Sequence, residues 1–354
     1  MYGPMDEYFT HQTVDPFAVV ATSDMRFQDR CYYNLHSKDA ELQLAFGLGN
    51  YPNAGVIDAY VVGRLGNEQF NILMSDELDK LNRHEMSVGP FRIDVREPLT
   101  KLGATLSENP YGVTFDLEFQ GRAEPFMHKQ IYKRIDGYEY MNQSHMTQGG
   151  TWKGNVSIDG KTFDVSGFMA ARDRSWGVRG NPYGSREHPH FDKLGQRFLG
   201  NSRYVWMDLH FADRVVHAVC ITALDPEEHL VMDGGVVPTA GGVESTPHFV
   251  DWQWEMIKSG DSSHPTGAHL KFRDERGGTE EFEIRNLGNV FLVPHGWSDQ
   301  ADDGNYRGKD FLEGFRKDLS KQEELSYFTD APTYYRSEER RVGKECRSRW
   351  SPYH

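Results

Sequence analysis

Cysteine is scarce in this chain, 3 in 354 residues. Cys31 and Cys220 are too isolated to build a disulfide framework, so a reduced environment is expected. Basic charge is also short: 39 Lys+Arg face 53 Asp+Glu, a formal net charge of -14. Nucleic acid and anionic membrane surfaces both attract clustered basic charge, so neither is an expected partner. No run of 18 apolar residues occurs, and no membrane-spanning segment is expected. The start, MYGPMDEYFTHQ, has neither a basic opening nor an apolar run, so no secretory signal is expected. These absences together point to a cytoplasmic protein.

Aromatics are abundant at 13%, which suits strands and binding cavities. Apolar and polar residues alternate with period two, and turn signals recur about every 8 to 14 residues. This predicts strands over Cys31–His36, Glu41–Gly47, Val56–Arg64, Gln69–Met74, Phe91–Arg96, Gly112–Phe119, Met127–Arg134, Tyr138–Met146 and Thr151–Ile158. The later half adds Arg203–Phe211, Arg214–Thr222, His248–Ile257, Ala268–Asp274 and Glu280–Asn286. Two helices are predicted. One covers Ser75–His84 with Ser75 as N-cap. The other covers Lys309–Leu325, where Phe311, Leu312, Phe315 and Leu319 form a stripe. Evenly spaced strands with little helix between them imply an all-β chain of two tandem antiparallel β-barrels with a few short helices.

Residues Arg336 to His354 resemble the in-frame translation of a sequencing adapter and are set aside as an artefactual tail. Without its six basic and three acidic residues the balance is 33 against 50, near -17. The expected organisation is an N-terminal arm over 1–24, a first barrel over 25–180, a second over 181–335 with a terminal helix, and the tail over 336–354.

Several familiar motifs fail on inspection. Gly47-Leu48-Gly49 lacks the third glycine of a dinucleotide site and meets Pro52 where a helix should open. Ser175 follows Asp173 instead of the glycine of a nucleophile elbow. His188, His190 and Asp192 could ligate a metal, but surface histidines are the simpler reading. No cofactor or metal is therefore expected. Two features remain. Arg172–Arg179 packs three arginines, one carboxylate and an indole into eight residues, as either a polar knot joining two halves or the floor of a site. The predicted strand Arg203–Phe211 puts Tyr204, Trp206, Asp208 and His210 on one face. If that face converges with Trp252 and Trp254, the second barrel encloses an aromatic chamber around a lone acid.

Asp-Arg-Ser-Trp-Gly (173–177), followed about thirty residues later by Trp206-Met207-Asp208, is similar to the AttH-like group. That group includes the carotenoid 1,2-hydratases (hydroxyneurosporene synthases) and resembles tocopherol cyclases and decalin-forming pericyclases. The closer likeness is to uncharacterised bacterial proteins with the same DRSWG segment and a stretch like Tyr51-Pro52-Asn53. The resemblance implies two lipocalin-like barrels. It matches Trp176 to the hydratases' Trp and Asp208 to their acid, while Trp206 stands in place of a Tyr and Arg174 in place of a His. A guanidinium beside Asp208 would keep it ionised, contrary to an alkene-protonating role.

The expected function is enclosure of an apolar small molecule, isoprenoid, steroid-like or polyketide. Acid-initiated hydration, cyclisation or isomerisation would follow. Asp208, Arg174 and His210 would be catalytic, and Trp176, Tyr204, Trp206, Trp252, Trp254 and Arg179 would bind the ligand. The alternative is a non-catalytic carrier or sensor of a hydrophobic ligand. Substrate and oligomeric state are left open.

Overall fold

A computed structural model describes residues 3–135, 137–179, 202–224, 227–239, 247–257, 266–292, 304–320, 329–337 and 346–350. The predicted connection over 180–201, with His188, His190 and Asp192, lies outside the described residues.

Strands dominate. The first half contains β1 (Phe27–His36), β2 (Leu42–Tyr51), β3 (Val56–Leu65), β4 (Glu68–Glu77), β5 (Met86–Val88), β6 (Phe91–Glu97) and β7 (Lys101–Leu106). It continues with β8 (Val113–Gly121), β9 (Phe126–Met127), β10 (Ile131–Ile135), β11 (Tyr138–Ile158), β12 (Lys161–Asp164) and β13 (Phe168–Val178). The second half contains β14 (Ser202–His210), β15 (Arg214–Leu224), β16 (Glu227–Pro238), β17 (Phe249–Ile257), β18 (Gly267–Asp274) and β19 (Thr279–Asn286). Then come β20 (Val290–Phe291), β21 (Phe311–Asp318), β22 (Thr329–Ser337) and β23 (Cys346–Trp350). Pairing is antiparallel throughout, and the fold is all-β and lipocalin-like, with helix only as 3-10 turns among the described residues. None of those turns is long and apolar enough to cross a membrane.

The first-half strands form a 14-stranded sheet with the order β21-β4-β3-β2-β1-β13-β11-β8-β7-β6-β5. It curls until β5 touches β3 and β4, and the Tyr111 hydroxyl donates to the Leu312 carbonyl of β21 at 3.2 Å. Tyr33, Phe46, Phe91, Phe115, Phe119 and Trp152 fill the concave side. Each such ring removed from water stabilises by about 1.5–3 kcal/mol. The predicted Asp159-Gly160 turn is present, both residues having positive φ, 50° and 80°, as a tight hairpin requires.

Both predicted helices are corrected. Ser75 belongs to β4, and the only helical piece nearby is a 3-10 turn, Lys80–Asn82, capped by Asp79. The Phe311, Leu312, Phe315 stripe lies in β21, which pairs with β4 from Phe311↔Ser75 to Asp318↔Glu68. An unpaired β4 edge offers a row of hydrogen bonds, and satisfying it outweighs the helical spacing. Thus a segment assigned by sequence to the second barrel completes the first sheet. The predicted strands ending at Met146 and starting at Thr151 are one strand of 21 residues, β11. Cys346–Trp350, in the presumed tail, pairs with β22.

In the second half, β14-β15-β16 form one sheet and β17-β18-β19-β22-β20 another, with β23 on β22. Val205, Met207 and Leu209 of β14 pack with Trp252, Leu270, Phe272 and Phe282 into a second core. The opposite face of β14 and β15 lies against the convex side of the first sheet, where Gly149 of β11 sits so close to His210 and Val215 that a Cβ would come within 2.6 Å of the imidazole. Strands β1, β2, β11 and β13 are therefore covered on both faces, which explains why β2 is buried along its whole length.

Candidate functional site

The convex side of the first sheet carries polar side chains in two cross-strand rows. Registers align Asp58, Gly49, Arg30, Ser175 and His145 from β3 through β2, β1 and β13 to β11. The next row is Tyr60, Gly47, Tyr32, Asp173 and Thr147. The two glycines of the rejected Gly47-Leu48-Gly49 motif have a purpose here. A Cβ on Gly49 would lie 2.5 Å from the Tyr51 hydroxyl and 2.7 Å from an Asp58 oxygen, and one on Gly47 would lie 2.9 Å from the Tyr60 hydroxyl. Their bare backbone lets these side chains lie across β2 towards Arg30.

A half-enclosed cavity of about 110 Å3 opens above these rows. Its polar wall holds Arg30, Gln143, His145, Asp173, Ser175 and Arg179. Tyr32, Tyr60, Ile131 and Met141 supply apolar surface, and Tyr204, Val219 and Ile221 from β14 and β15 close it. His145 Nε2 lies 3.5 Å from Asp173 Oδ2. Burial raises the Asp58 carboxyl above its ordinary value, against the pull of Arg30. The cavity thus places an imidazole–carboxylate pair in a largely aromatic and aliphatic surround, an arrangement able to pass protons to and from a bound molecule.

Behind the cavity a buried polar chain crosses between the halves. His248 Nδ1 meets Asp233 Oδ1 at 2.7 Å, and Asp233 Oδ2 meets His128 Nδ1 at 3.1 Å. His128 Nε2 bonds the Thr147 hydroxyl at 3.0 Å, and that hydroxyl lies 3.0 Å from His217 Nδ1. His217 closes the chain on Asp208. Burial drives His128 down to about 3, against the pull of Asp233, so the ring is neutral. Burial raises Asp233, but hydrogen bonds from His128, His248 and the Lys129 N–H outweigh it and leave the carboxyl below its ordinary value.

The predicted site residues separate into groups. Tyr204 and Arg179 line the cavity. Trp206 is buried beside it, its ring edge-on to Tyr32 at 6.1 Å. Asp208 is 0% exposed and paired with His217, and it does not belong to the cavity wall. Arg174 is not beside Asp208: it pairs with Asp29 at 2.7 Å on the concave side. Trp176 follows the same parity and is 37% exposed. His210 meets Arg122 at 3.4 Å, and burial and then Arg122 hold it well below its ordinary value. Trp252 and Trp254 stack at 5.1 Å in the second core, on the other face of β14 from Asp208. Among the described residues, Trp252 and Trp254 pack with Val205, Met207 and Leu209 and do not share a face with Asp208.

The dense 172–179 segment serves two faces. Being a strand, it sends Arg172 and Arg174 inward, where Arg172 Nε donates to Gln148 Oε1 at 2.7 Å, and Asp173 and Ser175 outward to the cavity. Arg172 and Arg174 tie β13 to its own sheet, and Arg179, just past β13, faces Tyr204 of the second half across the cavity. Arg30, His145 and Asp173 escaped the sequence reading as site residues. Alternation along Asp173–Gly177 was the available signal for Asp173, but nothing local marks Arg30 or His145.

Residues 3–309 match a family of unknown function, DUF8625. The chain belongs to that family. No curated protein matches the sequence. Solved structures do match this DUF8625 member in fold. A protein provisionally designated AttH (NE1406) from Nitrosomonas europaea is 11% identical, with 93% of each chain covered and a TM-score of 0.59. CghA with Sch210972 is 9% identical, covering 93% of this chain and 88% of that one, with a TM-score of 0.52. Kievitone hydratase from Nectria haematococca is 12% identical, covering 94% and 91%, with a TM-score of 0.50. At such identities the likeness establishes the shared lipocalin-like fold alone. Among the described residues, no group of three or more His, Cys, Asp or Glu is arranged to hold a metal ion.

Proposed function

We propose that this chain takes an apolar small molecule with an oxygen-bearing end into the cavity between its halves. There it catalyses proton-transfer chemistry of the hydration, cyclisation or isomerisation kind. The observation carrying this reading is the His145–Asp173 pair in a wall otherwise rich in tyrosine and aliphatic side chains. An imidazole beside a carboxylate can give a proton to a substrate and take one from the adduct. Arg30 and Arg179 would orient the oxygenated end, and the tyrosine rings would cover the apolar body. Kinship of fold with a kievitone hydratase and with CghA, crystallised with Sch210972, supports the substrate class and the reaction type. The two-barrel division near residue 180 is kept as part of this reading, with β21 returned to the first barrel. We assign the acid–base role to His145 and Asp173 in preference to Asp208, because Asp208 is enclosed by its own partner and lies off the cavity wall.

The test begins with native mass spectrometry for a retained ligand, followed by incubation with isoprenoid, steroid and polyketide panels. With a substrate in hand, His145→Gln and Asp173→Asn should each lower kcat by about 100-fold or more. Full activity in both variants, or its loss only in Asp208→Asn, would overturn the assignment. Saturable binding without product across the panels would instead favour a carrier, which the two wall arginines could also serve.

A further inference from the structure

His145 is held loosely by its own partner, since 3.5 Å from Nε2 to Asp173 leaves the ring plane weakly fixed. Its broad face, however, lies flat on a second imidazole: His128 stacks on it with centroids 4.7 Å apart and planes 14° from parallel. The His128 backbone N–H also donates to the His145 carbonyl at 2.9 Å. His128 itself is clamped at both nitrogens. The ionised Asp233 accepts from His128 Nδ1–H, so Nε2 is the lone-pair side and accepts from the Thr147 hydroxyl. Asp233 is fixed in turn by the Lys129 N–H at 2.7 Å and by His248. The Phe126 ring closes the remaining side, 4.9 Å from His128 and edge-on to it.

We propose that Asp233 and His128 are positioning residues for the His145–Asp173 pair: Asp233, reaching across from the second half, fixes the tautomer and plane of His128, and that plane sets the orientation of His145. This rests on the acid–base role given to His145 above. It means that the reactive geometry exists only when the two halves are docked, because the anchor is on β16 and the imidazole it governs is on β11. His128, buried and neutral, puts no like charge against the face of His145. The other charged or titratable groups lining the cavity with His145 are Asp173, Arg30, Arg179, Cys31, Tyr32 and Tyr60, with Tyr204 opposite.

The experiment follows the His145 ring by 1H–15N NMR across pH in Asp233→Leu, Asp233→Asn and Thr147→Val, beside pH–rate profiles. Asp233→Leu and Thr147→Val should change the His145 tautomer signals and move its titration midpoint. They should lower kcat about tenfold with KM within about twofold, as expected for a misaligned rather than missing group. Asp233→Asn preserves shape and one acceptor and should recover most of the native behaviour. If Asp233→Leu does not fold, Thr147→Val carries the test, because it removes one hydroxyl and little volume. An unchanged His145 titration in folded Thr147→Val, or in folded Asp233→Leu, overturns the proposal. If the ring responds but His145→Gln retains full turnover, the positioning stands and the assigned chemistry falls.

Discussion

Acidification should loosen this protein through His128, and the size of the effect follows from its burial. In the folded state the ring titrates at about 3, against an ordinary value of 6.5. Between those values the unfolded chain binds a proton that the folded chain refuses, so stability falls as pH falls. The loss begins near pH 6.5 and amounts to about 1.4 kcal/mol per pH unit, or about 2 kcal/mol at pH 5. His210 is depressed in the same direction and adds to the slope, while Asp233, with a lowered carboxyl, loses its contribution only in stronger acid. Weaker repulsion in an acidic chain of net charge -14 acts in the opposite sense. A comparison with His128→Asn isolates the term, because the amide still donates to Asp233 and does not titrate. Urea unfolding at pH 7.5, 6 and 5 should show the wild-type advantage over this variant shrinking by about 2 kcal/mol. A difference that stays constant to within about 0.5 kcal/mol would mean that His128 is not a buried neutral imidazole.

Further outcomes are expected at other positions. Gly49→Ala should cost about 1–3 kcal/mol and weaken ligand binding, since its Cβ would strike Tyr51 and Asp58; calorimetry beside a binding titration checks both. Trp252→Ala should lower stability by about 3–5 kcal/mol yet leave ligand affinity unchanged once folded, because Trp252 belongs to the second core. Equal loss of affinity in that variant would put the binding site back inside the second half. Gly314→Ala on β21 would place a Cβ 2.6 Å from the Tyr111 ring, and reduced hydrogen-exchange protection along β4 should reveal the loosened edge.

Period-two alternation was enough to identify an all-β chain and most of its strands, because each strand of a curled sheet has an apolar face to cover. It also placed Tyr204, Trp206, Asp208 and His210 on one face of β14, where register sets them opposite Ile221, Val219, His217 and Val215 of β15. Local pattern could not tell which body that face would meet. It meets the convex side of the first sheet, and a cavity lined from both halves lies there. The Phe311–Phe315 stripe misled for a related reason: spacing alone cannot register that β4, more than two hundred residues earlier in the chain, presents an unpaired edge.

What the amino-acid order determined by itself is the all-β class, many of the strands and the sharing of one face of β14 by Tyr204, Trp206, Asp208 and His210. All of these follow from nearest-neighbour geometry within one strand. Only the tertiary structure decided that Arg30, His145 and Asp173 share a wall and that Asp208 finds His217 rather than Arg174. Those pairings depend on cross-strand register and on the docking of two sheets, which are set by the sum of many distant contacts and leave no mark at the residues themselves.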